Sequence, residues 1–488
     1  MATTGCEKED IKNANNNEDG AVTVSVAFGA ESDAKTVLDG KTPKWVAGDQ
    51  IKLINSSNES EVITLTSQMI SDGKATFRTS LVKAKGDALY AVYPASVESS
   101  LTDNTNRKLN VIIPEIQDGT FASANICGAY AKVSSDSKLS LQFRNIIALI
   151  KFVQPAAPGC RTETITIVHD AISATGDCTS LSGSANVQFD SNGGLSAWGG
   201  TSPRYKGHII SVPDCKGKDV IYVAVKAQKY AQAVDFIYMN SNATEAGEGG
   251  KMFPQSKAAN ALNLSRGKIY TINLPDLKTV ANSNKLYQEY TKDGKTVKFA
   301  CYNIGSARED TFWSPINYKG TFYAWGQTTT QHTFENASTF ADAATANWGK
   351  NWRMPTQEEL QVLFSGTTAS ETFFVGWYEW GNPAGSTKKL TWRGSYTYKE
   401  IDPNDITTLN QVEVQNMKFP VGGYWQSSTE YYANQLWYWT SSKDTNGRPI
   451  YLKVQADGGA STATTAITWG GEERAHQGML VRPVYIGE

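Results

Sequence analysis

Glu358 and Glu359 are adjacent carboxylates, the pair in this chain whose spacing most invites acid–base chemistry. Their context gives them another task. Thr356-Gln357-Glu358-Glu359 is a capping box, in which the Thr356 hydroxyl accepts from the Glu359 backbone and the Glu359 carboxylate reaches back. Leu360, Leu363 and Phe364 then supply a buried helical face. The six cysteines, Cys6, Cys127, Cys160, Cys178, Cys215 and Cys301, form no CxxC pair, so neither a zinc knuckle nor a redox motif is written here. His169, His208, His332 and His476 lie far apart without HExxH spacing, and each reads as a surface or hydrogen-bonded residue. Calcium needs about six to eight oxygen ligands, and no sequence cluster supplies them. The formal charge of −2 with no basic run argues against a nucleic-acid partner. The expectation is a protein that is not an enzyme and uses no cofactor and no metal.

What remains is non-covalent binding. Eleven of the thirteen tryptophans lie between Trp313 and Trp469, so that region is the place to look. Its long irregular stretches run over 376–406, 427–435 and 455–477. The last mixes an indole ring, opposite charges and small residues, which suits an adaptable polar site. Tyr431, Tyr432, Asn434, Trp469, Arg474 and His476 are expected to share one ligand-binding face. Trp377-Tyr378-Glu379-Trp380 and Trp437-Tyr438-Trp439 could add a platform of rigid rings. Strand alternation puts Tyr438 on the opposite face from Trp437 and Trp439, and one of those faces must be core. Trp325, Trp352 and Trp425 read as core.

The elements that must carry these residues are mostly strands. At 488 residues the chain exceeds one core and suggests roughly three domains. No run of about 18 apolar residues occurs. Val22, Val24, Val26 and Phe28 alternate with small or polar residues, a half-buried strand. Short strands recur at 61–65, 88–93, 139–143, 146–153, 164–168, 220–227 and 268–274, separated by Gly, Asn, Asp and Ser. Repeated short strands with turn signals indicate β-sandwiches. Two prolines in 154–159 suggest a hinge. The expected organisation is a tail over 1–20, β-sandwiches over 21–153 and 154–275, a linker over 276–285, and a separate domain over 286–488, which the resemblance given below implies to be a ligand-binding α+β fold. As a coil, that linker would span roughly 16–19 Å and be the most protease-sensitive interior site.

Several segments resemble known families. Trp45-Val46-Ala47-Gly48-Asp49-Gln50-Ile51, Tyr90-Ala91-Val92-Tyr93-Pro94, 113–120, 141–152 and 267–274 resemble, in order, elements of Bacteroidetes fimbrillin-like (Mfa-like) proteins. Beyond the linker, Trp352-Arg353-Met354-Pro355-Thr356-Gln357-Glu358-Glu359, Tyr424-Trp425-Gln426-Ser427-Ser428 and Val481-Arg482-Pro483-Val484 resemble the C-type-lectin-like "major paralogous" domain. The loops that calcium-dependent sugar binding would need are missing from the sequence. The same landmarks are similar to formylglycine-generating enzymes, but 286–488 holds Cys301 alone where an oxidase would need a cysteine pair. Gly5-Cys6 followed by Glu7-Lys8-Glu9-Asp10 resembles the end of a surface lipoprotein signal, with Cys6 as the lipidated residue. Together these resemblances imply an adhesin on the outer membrane surface or in a fimbrium, carried at a fimbrial tip. A stalk or anchor subunit is the alternative. Partners would be other fimbrillin-like subunits, joined by β-strand addition, and a glycan or protein ligand. In that case Val22–Phe28 would be exchangeable after trimming at Lys35, Lys41 or Lys44.

Overall fold

The computed structural model describes residues 21–29, 44–134, 137–169, 180–199, 208–258, 261–281, 283–306, 320–330, 339–364, 374–375, 390–394, 397–401, 411–414, 417–420, 423–426, 429–431, 436–457, 464–471 and 474–487. It is mainly β and built from several sheets. Among the described residues no helix is long and apolar enough to cross a membrane.

Alternation in the N-terminal strands builds an eight-stranded sheet. Edge to edge it runs Ser60–Thr64, Gln50–Asn55, Ala88–Tyr93, Cys127–Lys132, Lys138–Asn145, Val22–Phe28, Lys74–Thr79 and Ile70–Ser71. Val22–Phe28 lies inside it, parallel to Lys138–Asn145 (Val26 opposite Leu141) and antiparallel to Lys74–Thr79 (Val24 opposite Phe77). One face packs the first core from Val24, Val26, Leu53, Leu89, Leu141 and Phe143. The 45–51 motif has a mechanical explanation there. Trp45 is buried, stacks on Phe28 at 4.3 Å and meets Tyr93 and Phe143 edge-on. Gly48 takes a φ of 95°, which frees the Asp49 carboxylate to accept from the Val46 amide and the Tyr93 hydroxyl, both at 2.9 Å.

The opposite face packs a second core, with Tyr90, Val92 and Tyr130 against Leu109, Val111, Ala185, Val187 and Phe189. The covering sheet runs Leu195–Gly199, Gly183–Phe189, Lys108–Ile113, Ser99–Asp103. It pairs chain from both sides of the expected boundary at residue 154, for example Val111 with Ala185. Ala148–Val153 also departs from expectation. It pairs antiparallel with Val220–Val225 and parallel with Ile269–Asn273, so it belongs to the second unit. The 154–159 segment follows on inside that unit, tied by the Gln154 side chain to Thr162 O at 2.7 Å, and is not a hinge between domains. The physical reason is that this strand buries both faces. Ile147 and Leu149 face the second core, while Ala148, Ile150 and Phe152 enter a third.

The same device recurs once more. A sheet of Ile209–Val212, Thr164–His169, Val234–Asn240 and Lys251–Lys257 closes the third core with Ile165, Ile167, Ile210, Val212, Phe236 and Tyr238. Its other face, Val168, Ile209, Ile237, Met239 and Met252, enters a fourth core with Leu286, Tyr302, Ile304, Tyr323, Trp348 and Trp439 of the C-terminal domain. Buried polar links cross that junction. Thr164 Oγ1 donates to Trp348 O (3.0 Å), Ser211 Oγ to Asn347 Oδ1 (2.7 Å) and the Thr330 amide to Glu115 Oε2 (2.6 Å).

The expected loose linker over 276–285 is therefore pinned at both ends. Asp276 Oδ1 accepts from the Cys160 amide at 2.9 Å, Leu277 is buried, and Asn284 and Met252 exchange two backbone hydrogen bonds of 2.8 and 2.9 Å. Burying the apolar wall behind it outweighs the polar segment's own preference for water.

Candidate functional site

The C-terminal domain opens on the hairpin Tyr287–Lys292 and Lys295–Ala300 and closes on Val484–Tyr485, which pairs beside it. The helix Gln357–Leu363 starts at the capping box read from the sequence, and both reciprocal hydrogen bonds are present. Glu359 is held further by Arg353, at 2.7 and 2.5 Å. Burial pushes its pKa up, but the Arg353 guanidinium and the Thr356 amide outweigh that and hold it below the usual carboxylate range.

A three-stranded sheet, Leu436–Lys443, Pro449–Asp457 and Thr464–Gly470, lies against this helix. Its alternation is as expected, yet both faces are core. Trp437, Trp439 and Tyr451 enter the fourth core, and Leu436, Tyr438, Leu452 and Val454 enter a fifth. Trp437, Tyr438 and Trp439 are all buried and offer no platform. Trp325, Trp352 and Trp425 are core, as read.

Trp469 pairs with Leu452 and packs, only partly buried, against the fifth core. It lines two hollows. One, of about 360 Å³, is lined by Gln357, Asp444, Arg448, Ile450, Trp469, Gly470 and Gly471. The other, of about 470 Å³, is lined by Lys292, Asp293, Lys295, Glu358, Gln361, Val362, Phe364 and Trp469.

Each hollow is rimmed by a tight turn. Asp444 Oδ1 accepts from the amides of Asn446 and Arg448, both at 2.8 Å, and Oδ2 accepts from Arg448 Nε at 3.0 Å. The Arg448 amide is the main cause of a lowered Asp444 pKa. The second rim is the Lys292–Lys295 turn, where Asp293 and Gly294 take φ of 51° and 78°. Glycine at 470 is required by close packing, because a Cβ there would overlap the Tyr451 ring, and one at 471 would come within 2.8 Å of Asp444 Oδ2.

Of the expected six-residue face, the described side chains Trp469 and Arg474 lie on opposite sides of the sheet. Arg474 lies over the rings of Tyr424 and Trp437, at 5.5 and 5.7 Å, on the fourth-core side of the sheet, and donates to Gln477 Oε1 at 3.1 Å. Trp469 faces the opposite side with Leu452. His476 is partly buried in the turn after Arg474. Tyr431 is the backbone partner of Tyr424. Tyr432, Asn434, Cys6 and the Trp377–Trp380 aromatics lie outside the described residues. The sequence reading missed Gln357, Asp444, Arg448, Lys292, Asp293, Lys295 and Gln361. The signals for the rims were Asp293-Gly294 and Asn446-Gly447, both strong hairpin turns. Among the described residues no three metal-binding side chains cluster.

No family model and no curated protein matches the chain. Solved structures do show similarity over about half of it. A candidate cell adhesion protein from Bacteroides uniformis matches at 17% identity over 52% of this chain and 94% of its own, with a TM-score of 0.31. One from Bacteroides ovatus matches at 13% over 54% and 94%, with a TM-score of 0.30. A fimbrial assembly protein from Parabacteroides distasonis matches at 8% over 57% and 94%, with a TM-score of 0.25.

Proposed function

We propose that this chain is a non-catalytic, surface-exposed binding subunit of a fimbria-like assembly, and that it engages its ligand through the Trp469 face of the C-terminal domain. The observation that carries this is the partly buried Trp469 ring, shared by the linings of two hollows on a sheet packed from both sides. A rigid aromatic in a concave, polar-rimmed surface is the usual anchor of recognition. The solved structures described above carry an adhesion or fimbrial role in their names; the support here comes from the chain's own motifs and geometry. Assembly would use the N-terminal sheet. Val22–Phe28 is paired on both sides, so releasing it would expose two strand edges for a neighbouring subunit's strand. Lipid attached to Cys6 would hold the subunit at the outer membrane before trimming.

The test is attachment of beads coated with the full chain to mucus-coated and epithelial surfaces. Trp469→Ala should abolish attachment, while Arg474→Ala, on the other side of the sheet, should leave it. The reverse pattern moves the site to the Arg474 side. Attachment by neither the parent nor either variant returns the chain to a stalk role.

A further inference from the structure

We infer that the two hollows sharing Trp469 bind an uncharged oligosaccharide, laid across the indole without a bridging metal ion. This rests on the Trp469 face being the binding face and adds the chemical class of its occupant.

Charge is the first ground. In one hollow Asp444 and Arg448 are paired with each other at 3.0 Å. In the other, Lys292 and Lys295 stand with Asp293 and Glu358, two cations against two carboxylates. Among the described lining residues neither hollow carries net charge, so an ionic ligand would gain no field from them. An anionic glycan, a phosphate or a basic peptide would each meet a like charge as often as an opposite one.

The second ground is the kind of polar group. Carboxylate, guanidinium, ammonium and amide side chains (Asp444, Arg448, Lys292, Lys295, Gln357 and Gln361) offer acceptors and donors side by side. That suits vicinal hydroxyls, each of which donates once and accepts twice. Ionised partners also make the stronger hydrogen bonds. Asp444 and Arg448 are already fixed by the 444–448 turn, which limits the ordering cost of binding.

The third ground is the ring between them. An indole presents a negative face, which attracts the slightly positive C–H groups on the flat side of a pyranose. Two hollows that share the ring imply more than one sugar unit: one stacked on Trp469, the others hydrogen-bonded to the two rims. Their volumes, about 360 and 470 Å³, fall in the range of small-ligand sites. A peptide could also stack a ring or a proline on Trp469. Its backbone, however, would find little fixed strand edge here, since the rims are turns.

The experiment is an array of neutral, sialylated and sulfated oligosaccharides probed with the full chain, with and without EDTA. Expected is binding to one or more neutral oligosaccharides, unchanged by EDTA. It should weaken by roughly tenfold or more in Trp469→Ala and be largely retained in Trp469→Phe. Because Trp469 touches the core, the double variant Glu358→Ala with Gln361→Ala gives a second reading from the helix surface, and it should weaken binding severalfold with an unchanged melting temperature. A preference for sialylated or sulfated glycans, loss of binding in EDTA, or equal binding by Trp469→Ala overturns the proposal. A blank array together with Trp469-dependent attachment to a protein-coated surface overturns the saccharide class and leaves the binding face standing. A blank array with no attachment to any surface removes both.

Discussion

Cutting the chain at residue 285 should ruin both halves, not release two folded pieces. The fourth core is shared: Val168, Ile209, Ile237, Met239 and Met252 form its wall on one side, and the C-terminal domain fills the other. All five are almost completely buried. Exposing each costs about 1.5–3 kcal/mol, so the N-terminal fragment loses about 8–15 kcal/mol as an upper estimate. The cross-junction hydrogen bonds add little, because Thr164, Ser211 and Glu115 regain water when the partner leaves. A domain of this size is stable by only about 5–15 kcal/mol, so the loss is comparable with the whole of it. The fragment over 286–488 loses the matching surface. The assay is scanning calorimetry and limited proteolysis of the full chain, of residues 21–281 and of residues 286–488. The full chain should melt with the wall and the C-terminal domain in one transition, and each fragment should bind a hydrophobic dye or aggregate. A fragment over 286–488 that melts cooperatively near the parent temperature would refute the shared-wall argument. So would proteolysis concentrated at 281–285.

Three further outcomes follow from single residues. Burial pushes the Lys226 amine down to about 8, so between about pH 8 and 10.5 the folded chain has shed a proton that the unfolded chain still holds. The parent should therefore gain on Lys226→Met by up to about 3 kcal/mol across that window, read from urea midpoints at successive pH values. Gly470→Ala must displace a Tyr451 ring already stacked on Trp437 at 5.1 Å, so it should cost about 1–3 kcal/mol in thermal or urea unfolding. Asp49→Ala removes the partner of both the Val46 amide and the Tyr93 hydroxyl and should cost about 1–3 kcal/mol by the same measurement, with Asp49→Asn recovering part of it.

Local pattern made some of this readable and hid the rest. Val22–Phe28 and Ala88–Tyr93 were legible because alternation and turn residues act within a few positions. The capping box over 356–359 is equally local. The shared walls were written in the sequence but misread. Thr164–His169 and Val234–Asn240 are buried at every position, and strands covered on both faces lose the alternation that marks a free face. Such runs say that something covers them, not what. The pairing of Lys108–Ile113 with Gly183–Phe189 joins residues some 70 apart, beyond any local signal. The candidate site split for a similar reason. Trp469 and Arg474 are five residues apart, but the strand ends at Gly470, and the two side chains sit on opposite sides of one sheet.

The pinned segment over 276–285 also has a mechanical meaning. A free linker of ten residues would coil at rest and lengthen to about 33–36 Å under tension before passing any load. Here the Asn284–Met252 pair removes that slack. A pull applied at Trp469 enters the sheet containing Val234–Asn240, then the one containing Ala148–Val153, and reaches the strands around Val22–Phe28 through hydrogen-bonded backbone and packed side chains. If the Trp469 surface binds as proposed, a shear force on it would meet no slack at the Asn284–Met252 pair on its way to Val22–Phe28.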